Sequence, residues 1–443
     1  MHVAPQHKSG LDVTGQDQKA TFFPSGHRLL FALVTVLFFM WGMSNNLTDI
    51  LVQQFKKSFE LSQFSAQLVQ TANFLGYFCM AIPAALIMRH WGYKSGMIMG
   101  LSMFGMGMIL FWPAAVSGRY TAFLIALFTV GCGASVLETA ANPFMAQFGS
   151  GATSERRLNF AQSFNPPGTI VGVIIGARFI FSGVELKQPQ IAAMRQAGSY
   201  GPYLHGELMR VVPTYIALGL AVLSFALILL RIDFPTLATT EEPENHGSFR
   251  GLLKHPHLGL AVLANFCNVG AQVATWSSLI PYMKQYTGVS ERVAAGYLTG
   301  TLVAMALGRF FGTHLMKYIP ANRLLGIYAT INVTLLGFAM THPGMNGAYA
   351  IVVSSFFLSI MFPTIFALGL KGLGENTKLA GSFLVMAIVG GAVFPPILGM
   401  IARQTGSVAK GYIVPLLGYA AVALYGFAAR LMIVQETSYG EIQ

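Results

Sequence analysis

The sequence predicts an all-α membrane protein of 12 transmembrane helices arranged as two six-helix bundles. Three observations carry this. First, the chain has 443 residues, of which 54% are hydrophobic and only 10% charged, and its mean hydropathy is +0.58. A soluble protein uses about 25% charged residues to cover its surface, so the solvent here is lipid. Second, a helix crossing the hydrocarbon core takes about 20 apolar residues, and twelve such stretches fit. Third, the longest hydrophilic break near the middle, from Asp233 to His257, divides them six and six.

The spans fall at 28–52, 64–88, 95–115, 120–147, 157–182, 211–232, 257–283, 291–318, 321–341, 346–370, 379–403 and 410–434. Most are continuous apolar runs without the period-two alternation of a barrel strand, which indicates helices. The resulting organisation is a tail (1–27), a first bundle (28–232), a linker (233–256), a second bundle (257–435) and a short tail (436–443). Faint internal similarity supports two related halves. Ser163-Phe164 is followed nine residues on by Gly172, and Ser382-Phe383 nine residues on by Gly391, in the fifth span of each half.

The net charge of +11 would suggest nucleic acid in a soluble chain, but these basic residues sit in short connections between spans. Fifteen Lys and Arg lie on the side shared by both termini and ten on the other, with Arg178 and Arg309 inside spans. That bias places both termini in the cytoplasm; the expected location is a bacterial-type plasma (inner) membrane. The first 25 residues are polar, without the apolar core of a signal peptide. Cys79, Cys132 and Cys267 lie in spans, where cysteine acts as a small packing residue.

Among 16 acidic residues, two fall inside spans. Glu138, in Leu137-Glu138-Thr139-Ala140-Ala141-Asn142-Pro143, lies deep in the fourth span; Asp49 lies late in the first. An intramembrane carboxylate is costly, so it faces a polar cavity, pairs with a partner, or stays protonated. Such a group can take up and release a proton as a cavity alternates between faces, and if it also touches solute, proton and solute occupancy become coupled. Asn45, Asn46, Asn73, Asn142, Gln162, Asn165, Asn268 and Gln272 are amides within apolar helices, offering donors and acceptors to hydroxyls, or to neighbouring helices. Trp41 and Trp276 supply flat apolar faces suited to a sugar ring. Arg309 is expected to snorkel or to cap carbonyls, with solute binding also open to it, and Arg178 to snorkel. Two prolines in Asn165-Pro166-Pro167-Gly168 remove backbone donors, which predicts a break in the fifth helix. No phosphate-binding loop, zinc motif or catalytic cysteine pair is present, so neither an enzyme nor a cofactor or metal is expected.

Several of these segments together resemble a known family. Asn45-Asn46-Leu47-Thr48-Asp49, the Leu137–Pro143 segment, Ala161-Gln162-Ser163-Phe164-Asn165, Tyr297-Leu298-Thr299-Gly300-Thr301 and Gly308-Arg309-Phe310 are similar to the fucose, galactose and glucose proton symporters of the major facilitator superfamily. The resemblance extends to Val269-Gly270-Ala271-Gln272 with Trp276 and to Pro363-Thr364-Ile365-Phe366. It implies uptake of a neutral monosaccharide, L-fucose or a related hexose, by alternating access between bundles. Asp49 would be the main protonation site, Glu138 would bind sugar and sense the proton, and Asn165, Gln162 and Asn46 would contact hydroxyls. Phe362 stands where the family pattern leads us to expect a tyrosine, and Pro166-Pro167 replace a Ser-Phe pair, which bears on sugar choice. Expected partners are sugar, protons and lipid, with a functional monomer and no nucleic acid. A proton-driven exporter of cationic compounds and a transport-inactive sugar sensor remain as alternatives.

Overall fold

The computed structural model describes residues 27–61, 63–180, 186, 188–234, 249–252 and 255–440. Within these, the side chains of Asn45, Asn46 and Asp49, all proposed above for the site, lie outside the described residues, as do the tail before His27 and most of the linker. Every regular element among the described residues is helical. Nine helices there are long and apolar enough to cross a membrane.

The chain follows the expected passages. Span 1 is Arg28–Ser58 and spans 2 and 3 share Gln63–Ile109, which continues as Phe111–Ser117. Span 4 is Tyr120–Gln147, span 5 comprises Ser154–Gln162, Asn165–Ile175 and Gly176–Ile180, and span 6 is Val211–Leu230. In the second half, span 7 is Pro256–Ser277 with Leu279–Thr287, span 8 Glu291–Leu315 and span 9 Ala321–Thr341. Span 10 comprises Met345–Leu358 and Met361–Gly369, span 11 Thr377–Met386, Ala387–Val389 and Gly390–Thr405, and span 12 Val408–Gly411 with Ile413–Gly440. We call the side where span 1 begins the near face, and its opposite the far face.

Two features differ from the sequence reading. Spans 2 and 3 have no loop of several residues between them: Gly92, at φ 74° and ψ 175°, alone interrupts the helical dihedrals. Only glycine adopts that conformation without a Cβ clash. On the far face, Gln188–Gln196 and Tyr200–Met209 add two helices that a search for apolar runs does not reveal. The second of these pins the end of span 1, because Gln54 Nε2 donates to Glu207 O at 2.7 Å and Lys57 Nζ lies 3.1 Å from Glu207 Oε2.

Spans 1 and 5 touch backbone to backbone. A Cβ added at Gly42 would lie 2.2 Å from Asn165 O, one at Gly168 2.1 Å from Phe39 O, and one at Gly172 2.3 Å from Met43 O. Small residues are what permit such approach in lipid, where apolar association has no solvent drive. The second half repeats the arrangement: a Cβ at Gly390 in span 11 would lie 2.1 Å from Phe266 O in span 7. These contacts fix Trp41 and Asn165 relative to one another. Gly168→Ala should therefore destabilise the protein by about 1–3 kcal/mol through overpacking, read as a lower unfolding temperature in detergent. Gly259→Ala, which has open space around it, should leave that temperature unchanged.

Candidate functional site

The fifth helix breaks where the prolines predict. Ser154–Gln162 ends, Ser163 and Phe164 form a turn, and Asn165–Ile175 begins with prolines in its first turn. In an uninterrupted helix Gln162 O would accept from the amide four residues on, which is Pro166 and has no N–H. The freed carbonyl accepts instead from Arg309 Nη1 of the second bundle at 2.9 Å. Span 10 repeats the device: it breaks after Leu358, the residue four beyond Ser359 is Pro363, and Ser359 O accepts from Arg309 Nε at 2.6 Å. The guanidinium, only 4% exposed, thus bridges two carbonyls that prolines have released. It caps carbonyls, one of the roles the sequence leaves open for it beside snorkelling and solute binding, and does not snorkel.

Glu138 is joined to the same point from the other side. Gln162 Nε2 donates to Asn142 Oδ1 at 2.8 Å, and Asn142 Nδ2 to Glu138 Oε1 at 3.5 Å. Glu138 and Asn142 share a face of span 4 at an i, i+4 spacing, so one helix presents both. Glu138 is 3% exposed, and its Oε2 has no hydrogen-bond partner. A polar chain therefore runs from the carboxyl through two amides to a cation on the opposite bundle. The sequence singles out Glu138 and Gln162. Asn142 is legible only as one of several amides, and Arg309 only as a costly charge beside Gly308.

The other proposed residues form two flanking groups. In the first bundle, Trp41 Nε1 donates to Tyr77 Oη at 2.6 Å, Asn165 Nδ2 to Phe38 O at 3.3 Å, and Asn73 is buried one turn before Tyr77. In the second, Trp276 Nε1 donates to Ser355 Oγ at 3.0 Å. Asn268 is fully buried with neither amide atom bonded, and Gln272 and Phe362 are half-buried. Tyr77 and Ser355 hold the two indoles and carry no signal of their own in the sequence. Arg178, expected to snorkel, is exposed.

The bundles meet toward the near face. Glu155 of the turn entering span 5 pairs with Lys371 after span 10, and Asn159 Nδ2 donates to Thr364 Oγ1 at 3.0 Å. Lys378 Nζ lies 5.3 Å from the centre of the Tyr93 ring, and Phe164 and Phe310 meet edge to face at 6.0 Å. Arg157 holds the turn that presents Glu155 and Asn159. Fully buried, it donates to Met145 O at 2.8 Å, Ala146 O at 2.6 Å, Ser150 O at 3.1 Å and Thr153 Oγ1 at 2.9 Å. Five donors in a rigid fork suit a cluster of carbonyls at a helix end.

Comparison with known proteins places this geometry. The Major Facilitator Superfamily model matches residues 30–395. The L-fucose-proton symporter of Escherichia coli is 39% identical over 401 residues, covering 89% of this chain and 92% of that protein. A glucose/galactose transporter of Brucella abortus is 34% identical over 395 residues, covering 89% and 92%. Among solved structures, a fucose symporter of the superfamily crystallised in the outward conformation superposes with a TM-score of 0.84 at 38% identity, covering 91% of this chain and 99% of its own. The chain belongs to the major facilitator superfamily, within its fucose, galactose and glucose proton symporter family.

Proposed function

We propose that this protein is a proton-coupled symporter that imports a neutral monosaccharide, L-fucose or a related hexose, by alternating access between its two bundles. The observation that carries the reading is the chain from the Glu138 carboxyl through Asn142 and Gln162 to Arg309. It ties a proton-accepting group to a contact that exists only while the bundles are joined at the near face. The relatives named for fucose, glucose and galactose transport support the sugar class.

Asp49 is the main proton carrier in this reading, and Glu138 senses the proton while holding sugar. Gln162 and Asn165 each have one amide N–H engaged on a protein oxygen, and in this reading the remaining N–H and the amide oxygen of each face sugar hydroxyls. Asn268 offers a donor and an acceptor that no protein group takes up, and buried amides without partners are rare outside functional positions. Trp41 and Trp276, each held at its indole nitrogen, flank the sugar ring. Asn45, Asn46, Asn73, Gln272 and Phe362 complete the proposed lining. The Lys and Arg bias supports a cytoplasmic near face and cytoplasmic termini, so closure there corresponds to an outward-facing carrier.

Charge links the proton to the conformation. An ionised Glu138 is drawn toward Arg309 across the short amide chain in low dielectric, and parting the near-face ends of the bundles separates them. Deprotonation therefore favours the outward-facing state, and protonation lowers the cost of opening inward. That is the order symport requires: the loaded carrier opens inward and the empty, ionised carrier returns.

Three measurements test this. Adding L-fucose, galactose or glucose to de-energised vesicles should alkalinise the medium for at least one sugar, and Asp49→Asn should abolish uphill accumulation. Sugar-independent proton flux, or undiminished accumulation in that variant, would refute the reading. Arg309→Gln keeps hydrogen-bonding capacity but loses charge. It should lower uphill uptake at least about tenfold, equivalent to 1.4 kcal/mol of coupling, and flatten the pH dependence of sugar binding. Lys371→Gln leaves the nearly buried Glu155 (8% exposed) unpaired. It should raise thiol labelling of an Asn159→Cys reporter from the near face by about tenfold; unchanged labelling would show that the ion pair does not hold that face.

A further inference from the structure

Beside the near-face closure lies a cavity of about 400 Å³ lined by none of the residues proposed for sugar or proton. One wall, Thr153, Glu155 and Arg156, belongs to the first bundle; the other, Lys317, Asn322 and Lys371, belongs to the second. Three cations and one carboxylate line it. The carboxylate, Glu155, is already taken by Lys371 and Arg156 has contacts of its own, so the positive charge left over among the described residues is that of Lys317. Lys317 is exposed, at the end of span 8, and its ammonium has no partner among the described residues. Asn322, in the first turn of span 9, lines the same wall with its Nδ2 donating to Gly426 O at 3.4 Å.

We propose that this cavity binds a phosphate-bearing anion across the two bundles and that the bound anion holds the near face shut. Phosphate oxygens accept strong bonds from Arg and Lys in such a setting, worth about twice a neutral hydrogen bond. The walls come from different bundles, so the site is complete only while the near-face ends are joined. An anion that binds one state alone stabilises that state by mass action, and by reciprocity the closed state binds the anion more tightly. The ligand is a soluble phosphate or the headgroup of an anionic lipid, which present the same phosphate oxygens. The inhibitory consequence rests on the alternating-access reading above; the binding does not.

The full chain, purified in a neutral detergent, tests the binding. Inorganic phosphate should raise its unfolding temperature beyond chloride of equal ionic strength, and Lys317→Gln should weaken that response about fivefold, as expected for one partly exposed cation. In vesicles, replacing part of a phosphatidylcholine bilayer by phosphatidylglycerol should raise the unfolding temperature in the same Lys317-dependent way if headgroups are the source. A response to phosphate alone assigns the soluble anion, and a response to lipid alone assigns the headgroup. Phosphate or lipid acting equally on Lys317→Gln, or neither acting, overturns the site. Sugar exchange supplies the second readout. The effective anion, supplied at the near face, should slow exchange in the native chain and not in Lys317→Gln, whose rate without anion should be normal. Anion binding with undisturbed exchange would overturn the closure while leaving symport itself standing.

Discussion

A guanidinium in the middle of a membrane protein normally needs an anion, because an isolated charge out of water is among the most expensive things a fold can hold. Arg309 has none among the described residues; it is held by Ser359 O and Gln162 O. Both carbonyls end helical segments, Met345–Leu358 and Ser154–Gln162, where the summed peptide dipoles leave partial negative charge. Prolines at 363 and 166 create those ends by withholding the amides that would have closed the next turn. The closed near face, the Glu138 chain and the arrangement of spans 5, 8 and 10 all follow from this one neutralisation. It is also conditional, since one carbonyl belongs to each bundle.

How much of this was legible in the sequence depends on whether the signal was local. Glu138 announced itself, being an acid in an apolar run, and so did the break at Pro166-Pro167, because both facts are contained in one segment. The purpose of the break was not legible. The carbonyl it frees meets a residue 147 positions away, and nothing at Gly308-Arg309 names that partner. Arg309 read as expensive, and its two partners came only from packing. Glu155 and Lys371 looked like solvated loop charges because their pairing depends on two turns meeting across bundles. Gly92 was hidden for the opposite reason. A turn made by one residue leaves too small a gap in hydropathy to separate two spans. The far-face helices Gln188–Gln196 and Tyr200–Met209 were missed because a span search reads apolar runs, and the first of these segments has no buried residue.

The glycine contacts explain why the two halves look faintly alike. Gly168 against Phe39 and Gly390 against Phe266 place the fifth span of each half against its first at backbone distance. The first span of each half also carries an indole held at its nitrogen, Trp41 by Tyr77 and Trp276 by Ser355. A shared packing rule thus serves both halves without any duplicated binding motif. The chemistry diverges on that common frame. The first bundle adds a carboxyl and amides, whereas the second adds an arginine and an unpartnered asparagine.

The strength of the near-face closure is itself informative. Among the described residues its polar and aromatic members are one ion pair with a half-buried lysine, one neutral hydrogen bond, a cation–ring contact, an edge-on aromatic pair and the Arg309 bridge, and Gly381 of span 11 packs closely on Pro143 of span 4 beside them. Partly exposed ion pairs and single neutral hydrogen bonds each contribute about 1 kcal/mol or less. None of these could hold the bundles together irreversibly, and a carrier has no use for a seam that does. Within each bundle, by contrast, the glycine approaches and apolar packing tolerate no such exchange of partners. Halves held by backbone-close glycine contacts, joined at one end by contacts that are individually weak, are the combination that alternating access requires. Of the seam's members, only the Arg309 bridge is wired through Gln162 and Asn142 to a group that can accept a proton.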